Sequence, residues 1–281
     1  MEREKIFREL IERESHSPEG AGYKVVPFRT CRDIASGLGM TYREAEIAAL
    51  RAGVCPSRYE RSMGTIGLEG QIKLLESHVA VVGLGGLGGL ITDLLARAGV
   101  GHMVLIDGDD FSENNLNRQI LCTEADIGRG KAEVAFERTS AINDALDVEV
   151  IALFIESGED AEYFLSSAEL VIDALDNNKT RKIVSDYCKK KKIPFVHGAI
   201  GGMWAQTAVF GPDDKTPWDA IPNLPDKGVE QQTGNPPFTP AFCAAMQVAL
   251  AIETITGIGD AKQGMLNWYD LGTGEVVRVR V

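Results

Sequence analysis

The residues best suited to chemistry begin with a glycine turn. Val79–Val82 leads into Gly83-Leu84-Gly85-Gly86-Leu87-Gly88, a G-x-G-x-x-G spacing between an apolar strand and a helical pattern. Such a turn lets backbone N–H groups approach a phosphate, and the helix N-terminus behind it carries partial positive charge. Gly83, Gly85 and Gly86 are the candidate cradle. Asp107 ends the following strand, where an acid accepts ribose hydroxyls. The motif alone leaves NAD, FAD and ATP open. An empty tight turn is the structural alternative, and the agreement of strand, helix and acid argues against it.

The next loop narrows the choice. "DGDDFSENNLNRQ", from Asp107 to Gln119, adds Asp109, Asp110, Asn114, Asn115, Asn117 and Arg118. Lys131 opens a helix, an unfavourable place for a cation unless it serves a ligand. "LVIDALDNNKTR" then sets Asp173 and Asp176 beyond the end of another strand. Ligands of parallel sheets bind outside the carboxyl ends of the strands, so these groups can share one crevice. The set suits a triphosphate. Arg118 and Lys131 neutralise phosphate charge. Asp176 is a candidate Mg²⁺ ligand, since that ion takes one or two carboxylates plus phosphate oxygens. The loop offers no Cys or His as nucleophile. Charge clamps and a metal fit attack on phosphorus by the substrate's own nucleophile. Asp176 also reads as a cap for the helix at Lys179, Asp173 as a strand-end turn residue, and His197 as a hydrogen-bonded core residue.

Alternating strands and helices must position these groups. Helix Leu68–Glu76 precedes strand Val79–Val82. Helix Leu87–Ala98, strand Met103–Asp107, helix Lys131–Ile142 and strand Val148–Phe154 follow. A short helix near Ala161–Leu165, strand Leu170–Ala174, helix Lys179–Lys190 and strand Phe195–His197 complete the pattern. This predicts an α/β, Rossmann-like, mostly parallel sheet with flanking helices. Gly202–Phe210 alternates like a solvent-facing strand. Gly211–Thr239 is proline-rich and reads as a long loop. Pro240–Gly257 reads as an apolar helix, buried or at an interface, and Met265–Val281 as a closing antiparallel hairpin around Gly272-Thr273-Gly274. Residues 1–57 read as a small helical N-terminal module. Met1–Glu14 is one helix; a helix, a glycine turn and a second helix capped by Thr41 and Glu44 follow. Residues 58–281 form the main domain.

The chain has 281 residues and a net charge of −12, which argues against a general nucleic-acid or anionic-membrane partner. No secretory signal pattern opens it, so a cytoplasmic location is expected. The five cysteines include no C-x-x-C pair and read as reduced, packed thiols.

Taken together, the GxGGLG turn, D-x-D…N-N-L-N-R-Q, the following Lys and D-x-x-D-N resemble the E1-like adenylating family of the ThiF/MoeB/HesA type. "RYERSMGTIGLEGQIKLLES" and "CKKKKIPFVHGAIGG" resemble the family's entry segment and its Cys-Pro-glycine stretch. The resemblance covers Arg58–Val281. It implies adenylation of the C-terminal glycine carboxylate of a small ubiquitin-like sulfur-carrier protein, with ATP and Mg²⁺, releasing pyrophosphate. It implies a homodimer in which Arg61 reaches the other subunit's ATP. Arg118 and Lys131 become the phosphate clamps, Asp107 the ribose acid and Asp176 the magnesium acid. Asp109, Asn114, Asn115, Leu175 and Asn177 become nucleotide contacts. Gly198–Gly202 and the long loop border the channel for a Gly-Gly tail.

The sequence departs from many relatives in two respects. Where they carry two C-x-x-C pairs, "KTPWDA" and "PPFTPAFC" stand here, so no zinc site is expected. No cysteine lies between Gly211 and Phe242, where some members place a catalytic thiol; Cys188 and Cys243 read as packing residues. Adenylation alone, with a separate sulfur donor, is the expectation. The competing reading is a nucleotide-sensing or DNA-binding regulator on the same scaffold. "DIASGLGMTYREAEIAALRAG" resembles a helix-turn-helix, although Glu44 and Glu46 oppose Arg43 and Arg51 on its second helix.

Overall fold

The computed structural model describes residues 2–221 and 224–281. Met1, in the expected first helix, and Pro222 and Asn223, in the expected long loop, lie outside the described residues.

The N-terminal segment folds as α1 (Glu2–Glu14), β1 (Lys24–Val26), α2 (Phe28–Leu38), α3 (Tyr42–Arg51) and β2 (Val54–Pro56). Gly39 stops α2 in the left-handed conformation, φ 63°. The Glu44 N–H donates to the Thr41 hydroxyl at 3.2 Å, and the Thr41 N–H to the Glu44 carboxylate at 2.8 Å, which is the expected capping box. The parallel pairing of β1 with β2 was not expected, because three-residue strands carry too little periodicity to read. Phe7 and Ile11, Cys31 and Ala35, and Ala45 and Ala49 close a small core between the three helices. Leu50, Cys55, Tyr59 and Leu75 join it to the rest of the chain. α4 (Met63–Glu76) is broken at Gly67, φ 68°, so its second half matches the expected helix.

The main sheet starts with β3 (His78–Val82), α5 (Gly88–Ala98), β4 (His102–Ile106), α6 (Lys131–Ile142) and β5 (Asp147–Ile151). It continues through α7 (Gly158–Phe164), β6 (Leu170–Asp173), α8 (Asn178–Lys191), β7 (Phe195–Gly201) and β8 (Trp204–Phe210). Two helical turns follow, α9 (Pro217–Ala220) and α10 (Glu230–Thr233), within the segment expected to be loop alone. α11 (Phe238–Thr256), β9 (Met265–Asp270) and β10 (Glu275–Arg280) end the fold. The strand order is β10-β9-β8-β7-β6-β3-β4-β5. The strands from β7 to β5 are parallel, and β8, β9 and β10 add antiparallel.

Both faces are covered. Val79 and Val81 of β3 pack under α5 and α11, while Ala80 and Val82 pack towards α7 and α8. This double burial explains the unbroken apolar runs of β3, β4 and β6. β8 corrects one expectation: apart from Trp204 and Gln206 its residues are buried, because α11 covers one face and Trp218 packs near the other. β7 runs past its expected end through Gly198 and Gly201, carried by pairing with β8 rather than by propensity. α11 is the one helix among the described residues long and apolar enough to cross a membrane, and it packs against β7, β8 and α5.

Candidate active site

The chain turns from β3 to β4 in one direction and returns to β6 on β3's other side. This switch point opens a crevice at the carboxyl ends of the strands. A cavity of about 470 Å³ lies there, a size suited to a small-molecule ligand. Its lining brings together Gly83, Gly85, Gly86, Asp107, Asp109, Arg118, Lys131, Leu175, Asp176 and Asn177. Arg61, Asn114 and Asn115 lie outside that lining.

The glycines divide by role. A Cβ on Gly83, whose φ is 92°, would stand 2.6 Å from the Ala174 carbonyl oxygen; on Gly88 it would stand 1.8 Å from that of Gly83. These two let strand, turn and helix approach closely. Gly85 is open instead: the nearest atom to an added Cβ would be Gln119 Nε2 at 3.6 Å.

The loop after β4 is pinned to the start of α6. The Phe111 N–H donates to the Arg129 carbonyl at 2.9 Å and the Lys131 N–H to the Asp109 carbonyl at 3.0 Å. Lys131 Nζ then donates to Asp109 Oδ2 at 2.9 Å, with the lysine side chain buried and the aspartate exposed. Arg118 donates to the Asn114 carbonyl at 2.9 Å and to Asn117 Oδ1 at 2.8 Å. Asn114 and Asn115 hydrogen-bond within the loop. The Ser112 N–H donates to Asn115 Oδ1 at 3.0 Å, and Asn115 Nδ2 donates to Asn114 Oδ1 at 2.8 Å.

Asp107 accepts from the Leu84 N–H at 2.7 Å and the Asp109 N–H at 2.8 Å, one on each oxygen. Each oxygen keeps a second lone pair for a hydroxyl donor. Burial raises its pKa, with Lys131 the main opposing influence. Asp176 stands across the crevice, 2.6 Å from Lys227 Nζ. Burial works against its charge, yet Lys227 holds the carboxyl below its usual range. Asn177 caps α8, its Oδ1 accepting from the Thr180 N–H at 2.9 Å. Asp176 is a solvent-reachable carboxylate lining the same cavity as the glycine turn, and Mg²⁺ takes one or two carboxylates together with phosphate oxygens. Among the described residues no group of three or more His, Cys, Asp or Glu gathers to hold a metal.

A buried polar network under the cavity floor was not foreseen. Asp173 is fully buried and receives Arg181 Nε at 3.1 Å and His197 Nδ1 at 2.6 Å. Arg181 also donates to the carbonyls of Leu175 and Gly198, tying the Asp176 loop to β7. Gln206 Nε2 lies 3.1 Å from His197 Nε2. A carboxylate on one ring nitrogen and an amide donor on the other assign the neutral Nδ1–H tautomer. Burial lowers the His197 pKa against the pull of Asp173, consistent with that neutral form. Burial opposes the Asp173 charge, but Arg181 and His197 hold its pKa down. His197 is the core residue the sequence suggested. Asp173 does more than shape a turn, though the Leu175 N–H does donate to it at 2.9 Å. The signal was an acid at a strand end with an arginine just inside the following helix.

The protein-family comparison matches residues 59–281 to the ThiF family. The SAMP-activating enzyme E1 of Haloferax volcanii is 34% identical over 218 residues, covering 76% of this chain and 80% of that protein. The sulfur carrier protein adenylyltransferase of Thermus thermophilus is 35% identical over 230 residues, covering 76% and 82%. The tRNA threonylcarbamoyladenosine dehydratase of Haemophilus influenzae is 38% identical over 153 residues, covering 53% of this chain and 58% of that protein. The chain spans about half the length of the MOCS3 adenylyltransferase–sulfurtransferases it also matches. Among solved structures, Escherichia coli MccB with MccA-N7isoASN superposes with a TM-score of 0.70 at 22% identity over 79% of this chain and 71% of that one. PaaA gives 0.67 at 20% identity over 99% and 81%. At these identities the likeness is one of fold. The chain belongs to the ThiF family, E1-like in fold, and is an ATP-binding adenylyltransferase.

Proposed function

We propose that this adenylyltransferase activates the C-terminal glycine carboxylate of a small ubiquitin-like sulfur-carrier protein of the ThiS/MoaD type, in the cytoplasm, and leaves sulfur transfer to a separate donor. The observation that carries the proposal is the one cavity that places Gly85, Lys131, Arg118 and Asp176 around a single space. The printed names of two relatives, an E1 for SAMP and a sulfur-carrier adenylyltransferase, support a carrier protein as substrate.

The chemistry asks for what the cavity contains. A C-terminal carboxylate is already an anion at neutral pH, so no base is required. Its oxygen attacks the α-phosphorus of ATP, the bond to the β-phosphate oxygen breaks, and pyrophosphate leaves. Charge builds on the phosphate oxygens. Lys131 and Arg118 stabilise that charge from fixed positions, an effect worth most in a dry cavity. Asp176 would hold Mg²⁺, which neutralises the departing pyrophosphate. The Asp176–Lys227 pair is exposed and held weakly, so yielding the carboxylate costs little. Asp107 takes the ribose hydroxyls. Arg61 is exposed and outside the lining of its own cavity, as a residue serving the second subunit of a homodimer would be.

The thiols support adenylation without sulfur transfer. All five cysteines are buried and free. Burial pushes Cys31, Cys55 and Cys243 up to about 12, and raises Cys122 and Cys188 as well. Thiols so raised are poor nucleophiles. A DNA-reading role for the N-terminal module gains no support from Arg32, Arg43 and Arg51 of its helix-turn-helix segment. Arg43 pairs with Asp147 at 2.7 Å, Arg51 with Glu76 at 2.5 Å and Arg32 with Asp144, which spends them on the module's own docking.

The test is mass spectrometry of a carrier ending in Gly-Gly after incubation with Mg·ATP. An adduct of one AMP, released by hydroxylamine as the carrier hydroxamate, is expected. Unmodified carrier under conditions where ATP binds would overturn the proposal.

A further inference from the structure

The cavity does not end at the nucleotide groups. It runs along one face of the antiparallel strands, where its lining includes Ala199, Gly201, Trp204, Gln206 and Trp268. Gly201 pairs with Trp204, and Trp204 with Asp270; Ala199 pairs with Gln206, and Gln206 with Trp268. Cross-strand partners share a face, so these residues form one continuous floor. Trp204 and Trp268 stand together on it, ring centroids 6.0 Å apart, and remain 38% and 39% exposed. Val277 on β10 pairs with Trp268 and extends the apolar strip, half exposed.

Between this platform and the glycine turn the floor is low. β7 contributes Ala199 and Gly201; Val229 of the segment leading into α10 packs directly on Gly201, where an added Cβ would stand 2.7 Å from it, so the passage narrows there to the floor beside Ala199. A polypeptide can lie here only where its side chains are small. The first bulky side chain must fall on the tryptophans.

We infer that Trp204 and Trp268 read an apolar side chain about the fifth or sixth residue from the C-terminus of the substrate polypeptide. The inference rests on the proposed function, which places that C-terminus at the glycine turn. The strand order sets the distance: β8 is three strand spacings from β3 and β9 is four, about 14 and 19 Å. Trp204 also stands about three residues further along the strand direction than Gly83, so at about 3.4 Å per residue an extended tail reaches both tryptophans with about its fifth or sixth residue. The last two or three residues cross the low floor, which suits glycine. The same geometry makes the platform a specificity device: an acidic side chain there would lose its hydration against two indoles without gaining a partner.

The experiment measures ATP–pyrophosphate exchange with synthetic peptides ending in Gly-Gly that carry Leu or Asp at the fifth and sixth positions from the end. The Leu peptides should support exchange, and the Asp peptides should raise KM about tenfold or more. Trp204→Ala and Trp268→Ala should raise the KM of the Leu peptides by a similar factor. The KM for ATP and the saturated rate should stay within about twofold of the parent. Trp204→Phe and Trp268→Phe, which keep an aromatic face and guard against misfolding, should restore most of the loss. Exchange with unchanged peptide KM in the alanine variants, or equal use of Leu and Asp peptides, would overturn the inference while leaving adenylation standing. Silence with every peptide and every Gly-Gly carrier, despite ATP binding, would remove the proposed function itself and this inference with it.

Discussion

Substituting Gly85 and Gly88 separately tests whether the turn is a phosphate cradle or only a tight connection. An added Cβ on Gly88 would meet the Gly83 carbonyl oxygen at 1.8 Å, so strand and helix must part. Gly88→Ala should lose at least about 3 kcal/mol of stability, at the severe end of overpacking. Gly85→Ala meets only Gln119 at 3.6 Å, an ordinary contact. Its stability should therefore stay within about 0.5 kcal/mol of the parent, as for a tolerated substitution. The new methyl lines the cavity where phosphate oxygens would accept backbone N–H groups. Displacing one or two charge-assisted hydrogen bonds, each worth about 1.5–3 kcal/mol, should weaken ATP binding about 10²-fold or more. Urea denaturation gives the stabilities, and titration calorimetry with a non-hydrolysable ATP analogue gives the affinities. A folded Gly85→Ala protein that binds the analogue like the parent would refute the cradle.

Other consequences follow from the same geometry. If Arg61 acts across a homodimer, mixing Arg61→Ala with Asp176→Ala should restore one working site per heterodimer; no rescue in verified heterodimers would count against action in trans. Arg181→Met should destabilise the protein by about 3–5 kcal/mol in urea, since it strips the buried Asp173 of its cationic partner; a loss below about 1 kcal/mol would show that His197 alone suffices. His197 has a folded pKa below its usual value of about 6.5, so the unfolded chain binds the proton first. Stability should be complete above that pH and fall below it, by up to about 1.4 kcal/mol per pH unit from this group. His102, also lowered by burial and by His78, adds to the slope. Comparing parent and His197→Asn from pH 7.5 to 5.5 isolates the contribution, and identical slopes would refute it.

The grouping of much of the candidate site around one cavity was legible from short-range sequence features. The glycine spacing, Asp107 and Asp176 each sit just past a strand end, Arg118 and Lys131 follow in the loop and helix after β4, and the parallel sheet gathers strand ends on one side. What stayed hidden depends on long-range pairing. Arg181 and His197 meet over Asp173 only because β6 and β7 are neighbours. Trp204 and Trp268 share a face only through the register of β8 and β9. No periodicity within either strand could reveal that. Asn114 and Asn115, expected from residue type and position to touch a ligand, lie outside the cavity lining and hydrogen-bond within their own loop. In the fold, Gly198 and Gly201 disguised half of β7, and the expected loop before α11 holds two helical turns.

The most direct test is ATP–pyrophosphate exchange by the 281-residue chain with a small carrier ending in Gly-Gly. Exchange should need Mg²⁺ and the intact terminal glycine, and should fail in Lys131→Ala and Asp176→Ala proteins that remain folded. ATP binding without exchange, or exchange that survives both substitutions, would contradict the proposed adenylation.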